Sequence, residues 1–411
     1  MMKKRKVCII GGGASGMIAA VLAARKGAAV TVLEHNDKVG KKILATGNGR
    51  CNLTNLYQDI SCYHSSEQQK AWEILQQFNV QQTIRFFSEL GLYTKNKNGG
   101  LYPFSMQAQS VRELLEMEAR HEKVKIKCKE HVKEILPSLK GDAPAFQIVT
   151  QTWTYEADAV ILACGSKASL VEGADGSGYE LAKKLGLSMR NPLPALVPLK
   201  GKGNYFSKWA GTRTEGKISL FAAGRLVDEA SGELQLTEYG ISGIPVFQVS
   251  SQAARLLEEG ISITAVLDFM PDFEEQGLLE FLKSRQSICP YKSPKEILLG
   301  IFPKKLVEVL AEGKPDIETL VGRIKGFPVK VKGAKSMETA QVCSGGVLLK
   351  NINPKTMECC QIPGLYLAGE ILDVDGICGG YNLQWAWSTG ACAGIHAARG
   401  KEQRSCLEFN N

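Results

Sequence analysis

Apolar and polar positions divide the chain before any single residue matters. Residues 7–10 are apolar and partly β-branched, which predicts a short buried strand. Residues 14–26 carry Met17, Ile18, Val21 and Leu22 on one face, which predicts a helix, with Gly27 placed as its C′ residue. Residues 30–34 predict a second strand ending on an acid. Spans 68–92 and 107–122 read as helices burying Trp72, Leu75 and Phe78, then Val111, Leu114 and Leu115, around a turn at 99–103. Strand patterns follow at 124–127, 132–135, 146–150 and 152–156, and a buried run at 157–165 ends in small residues. Residues 175–179 open a helix with Asp175 and Ser177 as caps.

At Asn191-Pro192-Leu193-Pro194 the pattern changes. Short strands such as 217–221 and 261–266 take over, with a helical stretch at about 274–312 punctuated by Pro290, Pro294 and Pro303. After about 336 the first pattern returns, with a buried strand at 364–370 and a helix rich in Leu, Trp and Ala after Gly379 and Gly380. The expected fold class is α/β. An α/β domain (1–190 and 337–411) is interrupted by a mainly β insert (191–336) with a helical appendage.

The glycines at the first strand–helix junction fit G-x-G-x-x-G. Gly11 allows the tight turn, Gly13 lets a pyrophosphate approach the backbone, and Gly16 lets helix and strand pack closely. Ala14 and Ser15 begin the helix, whose free N–H groups favour an anion. Glu34 ends the second strand 18 residues after Gly16, in register to accept ribose hydroxyls. An export signal is the competing reading of the basic N-terminus and its apolar run. It explains neither the glycines, each costing about 1 kcal/mol of helix propensity, nor Glu34.

Composition narrows the picture further. The 411 residues suffice for two or three cores, and 44% hydrophobic with 22% charged residues is ordinary for a globular protein. No apolar run elsewhere reaches the ~18–20 residues of a membrane span. A net charge of +8 can steer anions without establishing nucleic-acid binding. Twelve cysteines without an export signal suggest free thiols in a reducing, cytoplasmic compartment. No C-x-x-C pair occurs, so no metal site is assigned. Lys200, Lys202, Lys208, Arg213 and Lys217 interleave with Tyr205, Phe206 and Trp209; the reading favoured is one solvated face of β-strands rather than a grip on nucleic acid.

Residues 42–55 read K-I-L-A-T-G-N-G-R-C-N-L-T-N. This stretch resembles the signature K-I-L-x-T-G-x-G-R-C-N-x-T-N of bacterial flavoproteins that include aminoacetone oxidases and a bile-acid enone reductase. Residues 340–347 and 364–394 are similar to further segments of that family. At 237–243, Glu238 stands where the family commonly has His, so no role of that His carries over.

The resemblance of residues 42–55 and 364–394 implies that the α/β domain (1–190 and 337–411) is Rossmann-like and two-dinucleotide-binding, with bound FAD. Lys42, Gly47, Arg50, Cys51 and Asn52 would form a loop beside its phosphates, the cations neutralising charge. Val132 would meet the adenine through its backbone, and Ala163, Cys164 and Gly165 would lie beside the cofactor, Cys164 as a space-filler where Thr is usual. Gly369 and Glu370 would hold the ribityl hydroxyls. Asp375, Gly379, Gly380, Tyr381, Asn382 and Leu383 would bring a helix N-terminus to the flavin's N1–C2=O edge, where negative charge develops on reduction.

The five histidines (35, 64, 121, 131 and 396) sit in ordinary contexts, and no catalytic residue is assigned. The flavin would carry the chemistry. The resemblance implies either NADH- or NADPH-dependent reduction of an enone C=C in a bulky acidic small molecule, which is preferred, or oxygen-dependent oxidation of a small amine. An RNA-binding or RNA-modifying flavoprotein is the alternative of another class. Oligomeric state stays open.

Overall fold

The computed structural model describes residues 4–140 and 143–399; the extreme ends of the 1–190 and 337–411 spans lie outside the described residues. The chain divides into two compact units, one of residues 1–192 and 342–411, the other of residues 193–341.

The first unit is built on a five-stranded parallel sheet. Its order is Leu365–Leu367, Ala159–Leu162, Lys6–Ile10, Ala29–Glu34 and Lys125–Cys128. The central strand pairs Ile9 with Val32 on one side and with Ile161 on the other. Strands buried on both faces need continuous apolar runs, which 7–10 and 159–162 supply. Ala14–Arg25 and the C-terminal helix Tyr381–Ala397 cover the sheet and pack on each other. Close approach there is set by small residues: a Cβ at Gly390 or Gly394 would overlap the backbone of Ser15 or Ala19. The parallel Rossmann-like sheet and the separate β-rich insert agree with the expected fold class.

Three elements of this unit differ from expectation, the first being the turn at 99–103, where Gly100–Pro103 is a strand paired with Thr94–Lys97. The stretch 68–92 is two helices, Gln68–Gln77 and Val80–Glu89. Asn79 divides them, its side chain accepting from the N–H groups of Gln81 and Gln82 while Gln82 caps the Asn79 N–H in return. The strand predicted over 157–165 is regular only from Ala159 to Leu162, because Gly165 turns the chain away at φ +68°. Before the helix Ser177–Lys184, Gly176 is the cap and the Asp175 carboxylate accepts from the Ser177 N–H.

The second unit is a closed six-stranded antiparallel barrel: Leu199–Lys202, Gly240–Gly243, Arg225–Thr237, Thr212–Ala222, Ile263–Asp268 and Phe327–Ala334. Closure leaves no free sheet edge. The helical stretch resolves into Glu275–Ile288, Pro294–Leu298 and Lys304–Leu310, and a further helix, Ile317–Lys325, was not expected. Phe206 and Trp209 belong to this unit's core. Lys208, Arg213 and Lys217 pair with Glu312, Glu233 and Glu229. Phe206, Lys208 and Trp209 stand on a short helix, Phe206–Trp209, rather than on a β-strand.

Candidate functional site

Every residue of the sequence-derived site belongs to the first unit, and most meet around two uncapped helix starts. At the first, Gly11 leaves its strand at φ +102°, and a Cβ there or at Gly16 would overlap backbone oxygens of Ala163 or Gly11. At Gly13 the opposite holds, for a Cβ would meet nothing within 4 Å. Gly13 is also the N-cap of Ala14–Arg25 and offers no side-chain cap. Two glycines close the backbone up and one opens a space before the bare helix N-terminus, the local form of a phosphate cradle.

Glu34 is 7% exposed and fixed on both oxygens. Oε2 accepts from the Gly12 N–H at 2.8 Å, and Oε1 accepts from the Asn36 N–H at 2.8 Å and Asn36 Nδ2 at 2.9 Å. Beside it, His35 and His131 stack with ring centroids 5.4 Å apart, and with Asp175 their donor atoms lie within 4.8 Å of one another. Burial, then Lys133 and His35, lowers the proton affinity of His131. Val132 is buried at the start of its strand.

The 42–55 loop holds its residues differently from one another. Lys42 Nζ reaches Glu370 Oε2 at 2.5 Å and Ser166 Oγ at 3.4 Å, and Glu370 Oε1 accepts from the Cys343 N–H at 3.0 Å. Lys42 and Glu370, expected at separate parts of the cofactor, thus neutralise each other. Gly47 (φ +56°) and Arg50 are exposed. Cys51 is fully buried and its thiol is pushed up to about 12 by burial. Asn52 points Oδ1 into the interior beside Gly100 and Gly380, and that oxygen has no hydrogen-bond partner among the described residues. Ala163 is buried, and desolvation drives the Cys164 thiol far above its usual range, suiting a space-filler over a redox group.

The second helix start is Gly379-Gly380, at φ +126° and +99°, leading into Tyr381–Ala397 without a side-chain cap. Asn382 donates from Nδ2 to the Gly376 carbonyl and accepts on Oδ1 from the Gly376 N–H, locking the helix's first turn to the strand Asp375–Gly376. Tyr381 packs edge-on against Tyr63, and Leu383 is partly buried. The Gly369 N–H donates to Thr389 Oγ1.

Asp375 is the surprise. Its carboxylate is paired with His64, Nδ1 to Oδ2 at 3.1 Å, across the two-stranded sheet Tyr63–His64 with Asp375–Gly376. Its neighbour Asp373 accepts from Ser66 Oγ and N–H. Sequence reading passed His64 over as ordinary. A partner 311 residues away distinguishes it, which no local pattern signals.

These residues fit an FAD. An open phosphate cradle, an oriented acid at the ribose register, a second glycine-opened helix start and one unpartnered inward-facing amide oxygen are what an extended dinucleotide needs.

Comparison with known proteins follows the same lines. The family model described as "HI0933-like protein Rossmann domain" matches residues 5–396. The 3-dehydro-bile acid delta(4,6)-reductase of Clostridium scindens is 46% identical over 408 residues, 96% of this chain and 99% of that protein. The ribosomal RNA dihydrouridine synthase of Escherichia coli is 30% identical, covering 95% of this chain and 98% of its own. Among solved structures, a flavocytochrome c3 fumarate reductase superposes with TM-score 0.51 at 16% identity, covering 97% of this chain and 78% of that one. A 3-ketosteroid delta1-dehydrogenase from Sterolibacterium denitrificans also reaches 0.51, at 12% identity, with 96% and 99% covered. At those identities the likeness speaks to fold alone.

Proposed function

The chain belongs to the HI0933-like protein Rossmann-domain family and is a flavin-dependent oxidoreductase, and from that premise we propose that it saturates a C=C bond conjugated to a carbonyl. The substrate is a bulky acidic small molecule such as a 3-oxo bile acid, and NADH or NADPH is the electron donor. The observation that carries this reading is 46% identity to a bile-acid enone reductase along nearly the whole of both chains. The 30% relatives fit the same chemistry, since making dihydrouridine also saturates a ring C=C next to a carbonyl.

FAD, when bound, supplies two-electron transfer. The chain's own residues hold it: Gly11, Gly13, Ala14, Ser15 and Gly16 at the pyrophosphate, Glu34 at the ribose, Val132 at the adenine. Lys42, Gly47, Arg50, Cys51, Asn52, Ala163, Cys164 and Gly165 flank it, and Gly369 and Glu370 take the ribityl chain. Gly379 to Leu383, backed by Asp375, face the pyrimidine edge, where free N–H groups favour the negative charge of the reduced ring.

Anaerobic rapid mixing of the holoenzyme with NADH, NADPH or aminoacetone, followed by a 3-oxo-4-ene bile acid, tests the reading. Bleaching by a nicotinamide and recovery by the enone are expected. Bleaching by the amine alone replaces the reductase with an amine oxidase. Recovery only with unmodified ribosomal RNA favours the nucleic-acid reading, for which the 30% relatives are the observation.

A further inference from the structure

We propose that His35, His131 and Asp175 form a site for a borderline divalent metal ion such as zinc, nickel or cobalt, held by two imidazole nitrogens and one carboxylate oxygen. The proposal does not depend on which substrate the flavin serves.

The three side chains come from stretches far apart in the chain, and the fold brings them together. His35 follows the strand Ala29–Glu34, and His131 precedes the strand Val132–Lys140. Backbone bonds tie these two stretches side by side. The Glu130 N–H donates to the Glu34 carbonyl at 2.9 Å and the Lys129 N–H to the Asn36 carbonyl at 2.8 Å. The imidazoles therefore lie ring on ring, with 5.4 Å between centroids and planes 26° apart. Asp175 arrives from the turn before the helix Ser177–Lys184. Gly173 lets that turn come close, since at φ +92° a Cβ there would stand 2.5 Å from His35 Nε2. The Ser177 N–H, donating to Asp175 Oδ1 at 2.8 Å, holds the carboxylate in place and leaves it further lone pairs.

One ligand atom from each residue lies within 4.8 Å of the other two. Ligands around a tetrahedral zinc stand about 3.3 Å apart, given bonds of about 2.0–2.1 Å. Modest rotations close that difference, because the two histidines are half-buried and Asp175 is exposed. Among the described residues neither imidazole spends a hydrogen bond on another group, so each keeps a ring nitrogen for a ligand. A single histidine beside an exposed carboxylate would be an ordinary surface pair. The second imidazole completes the donor set of a three-ligand site whose remaining position goes to water. Imidazole nitrogen suits zinc, nickel or cobalt, whereas magnesium and calcium prefer oxygen throughout.

The test titrates Zn²⁺ into holoenzyme carrying Cys360→Ser, which removes an exposed competing thiol. Calorimetry should show one ion bound per chain, and no binding of Mg²⁺ under the same conditions. Asp175→Asn, whose amide oxygen can keep the bond to Ser177, and His131→Gln should each weaken Zn²⁺ by more than about 100-fold. Losing a direct ligand costs more than the roughly 10–100-fold that follows loss of a supporting group. His121→Gln, at an exposed histidine elsewhere, should leave the affinity unchanged. Zn²⁺ should also raise the thermal midpoint of the parent and not that of Asp175→Asn or His131→Gln. Flavin absorbance should hold constant through the titration. Absence of a one-to-one Zn²⁺ site, or an affinity unchanged in both variants, overturns the proposal. So does an ion that binds only as flavin leaves, which would put it in the cofactor's place rather than on these three side chains.

Discussion

Replacing Glu34 by Gln tests whether this acid builds the turn, binds the cofactor, or does both. The carboxylate accepts three hydrogen bonds, one from Gly12 and two from Asn36. Glutamine keeps one oxygen and turns an NH2 group on the other side. Facing Gly12, that group loses one bond; facing Asn36, it loses two. The cheaper orientation loses one charge-assisted bond in a buried setting, about 1.5–3 kcal/mol. At about 2–4 °C per kcal/mol for a domain of this size class, the apoprotein midpoint should fall by roughly 3–12 °C. If the same oxygen also receives a ribose hydroxyl, FAD binding weakens by a similar energy, about tenfold to 150-fold. Thermal unfolding of the flavin-free protein gives the first quantity, and FAD titration by flavin fluorescence gives the second. An unchanged midpoint would refute the contribution of the Gly12 and Asn36 bonds. A lower midpoint with an unchanged FAD dissociation constant would show that Glu34 only buttresses the glycine turn and would remove it from the cofactor site.

Gly16→Ala should cost more than about 4 kcal/mol, because its methyl would overlap the Gly11 carbonyl oxygen, and soluble yield with a denaturation midpoint reads this out; near-normal stability would contradict the described packing. Arg50→Ala should lose more flavin on dialysis than Cys51→Ser, since the proposed site sets the exposed guanidinium against phosphate whereas the buried thiol fills space. Abolished turnover with flavin retained in Cys51→Ser would reverse that ranking. Burial raises the Cys8 and Cys51 thiols to about 12, against about 8.5 in an unfolded chain. Below about 8.5 both states keep these protons; above it only the unfolded chain releases them. Urea midpoints should therefore decline as pH rises from about 8.5 toward 12, and a midpoint unchanged between pH 8 and pH 10.5 would count against the burial. Iodoacetamide on the native protein should modify exposed Cys360 while sparing Cys8 and Cys51, as peptide mass spectrometry would show.

The chain's local code determined the first fold in advance. Strand, glycines, helix, strand and acid from 7 to 34 form one contiguous unit, so periodicity and turn chemistry suffice to read it. The signatures at 42–55 and 364–394 likewise carry their residues within short windows. Asn79 shows where local reading ends: helix propensity runs through it, and only the reciprocal bonds with Gln82 reveal the break. The insert's barrel was legible as strands but not as a closed ring, because closure depends on Leu199–Lys202 meeting Phe327–Ala334 across 124 intervening residues. The ion pair of Lys42 with Glu370 and the pairing of His64 with Asp375 were invisible for the same reason. Each joins residues more than 300 positions apart, and charge complementarity at such separation has no periodic trace. The sequence sets which stretches can cradle a dinucleotide; the tertiary structure alone decides which charged groups spend themselves on one another and which imidazole gains a buried anion.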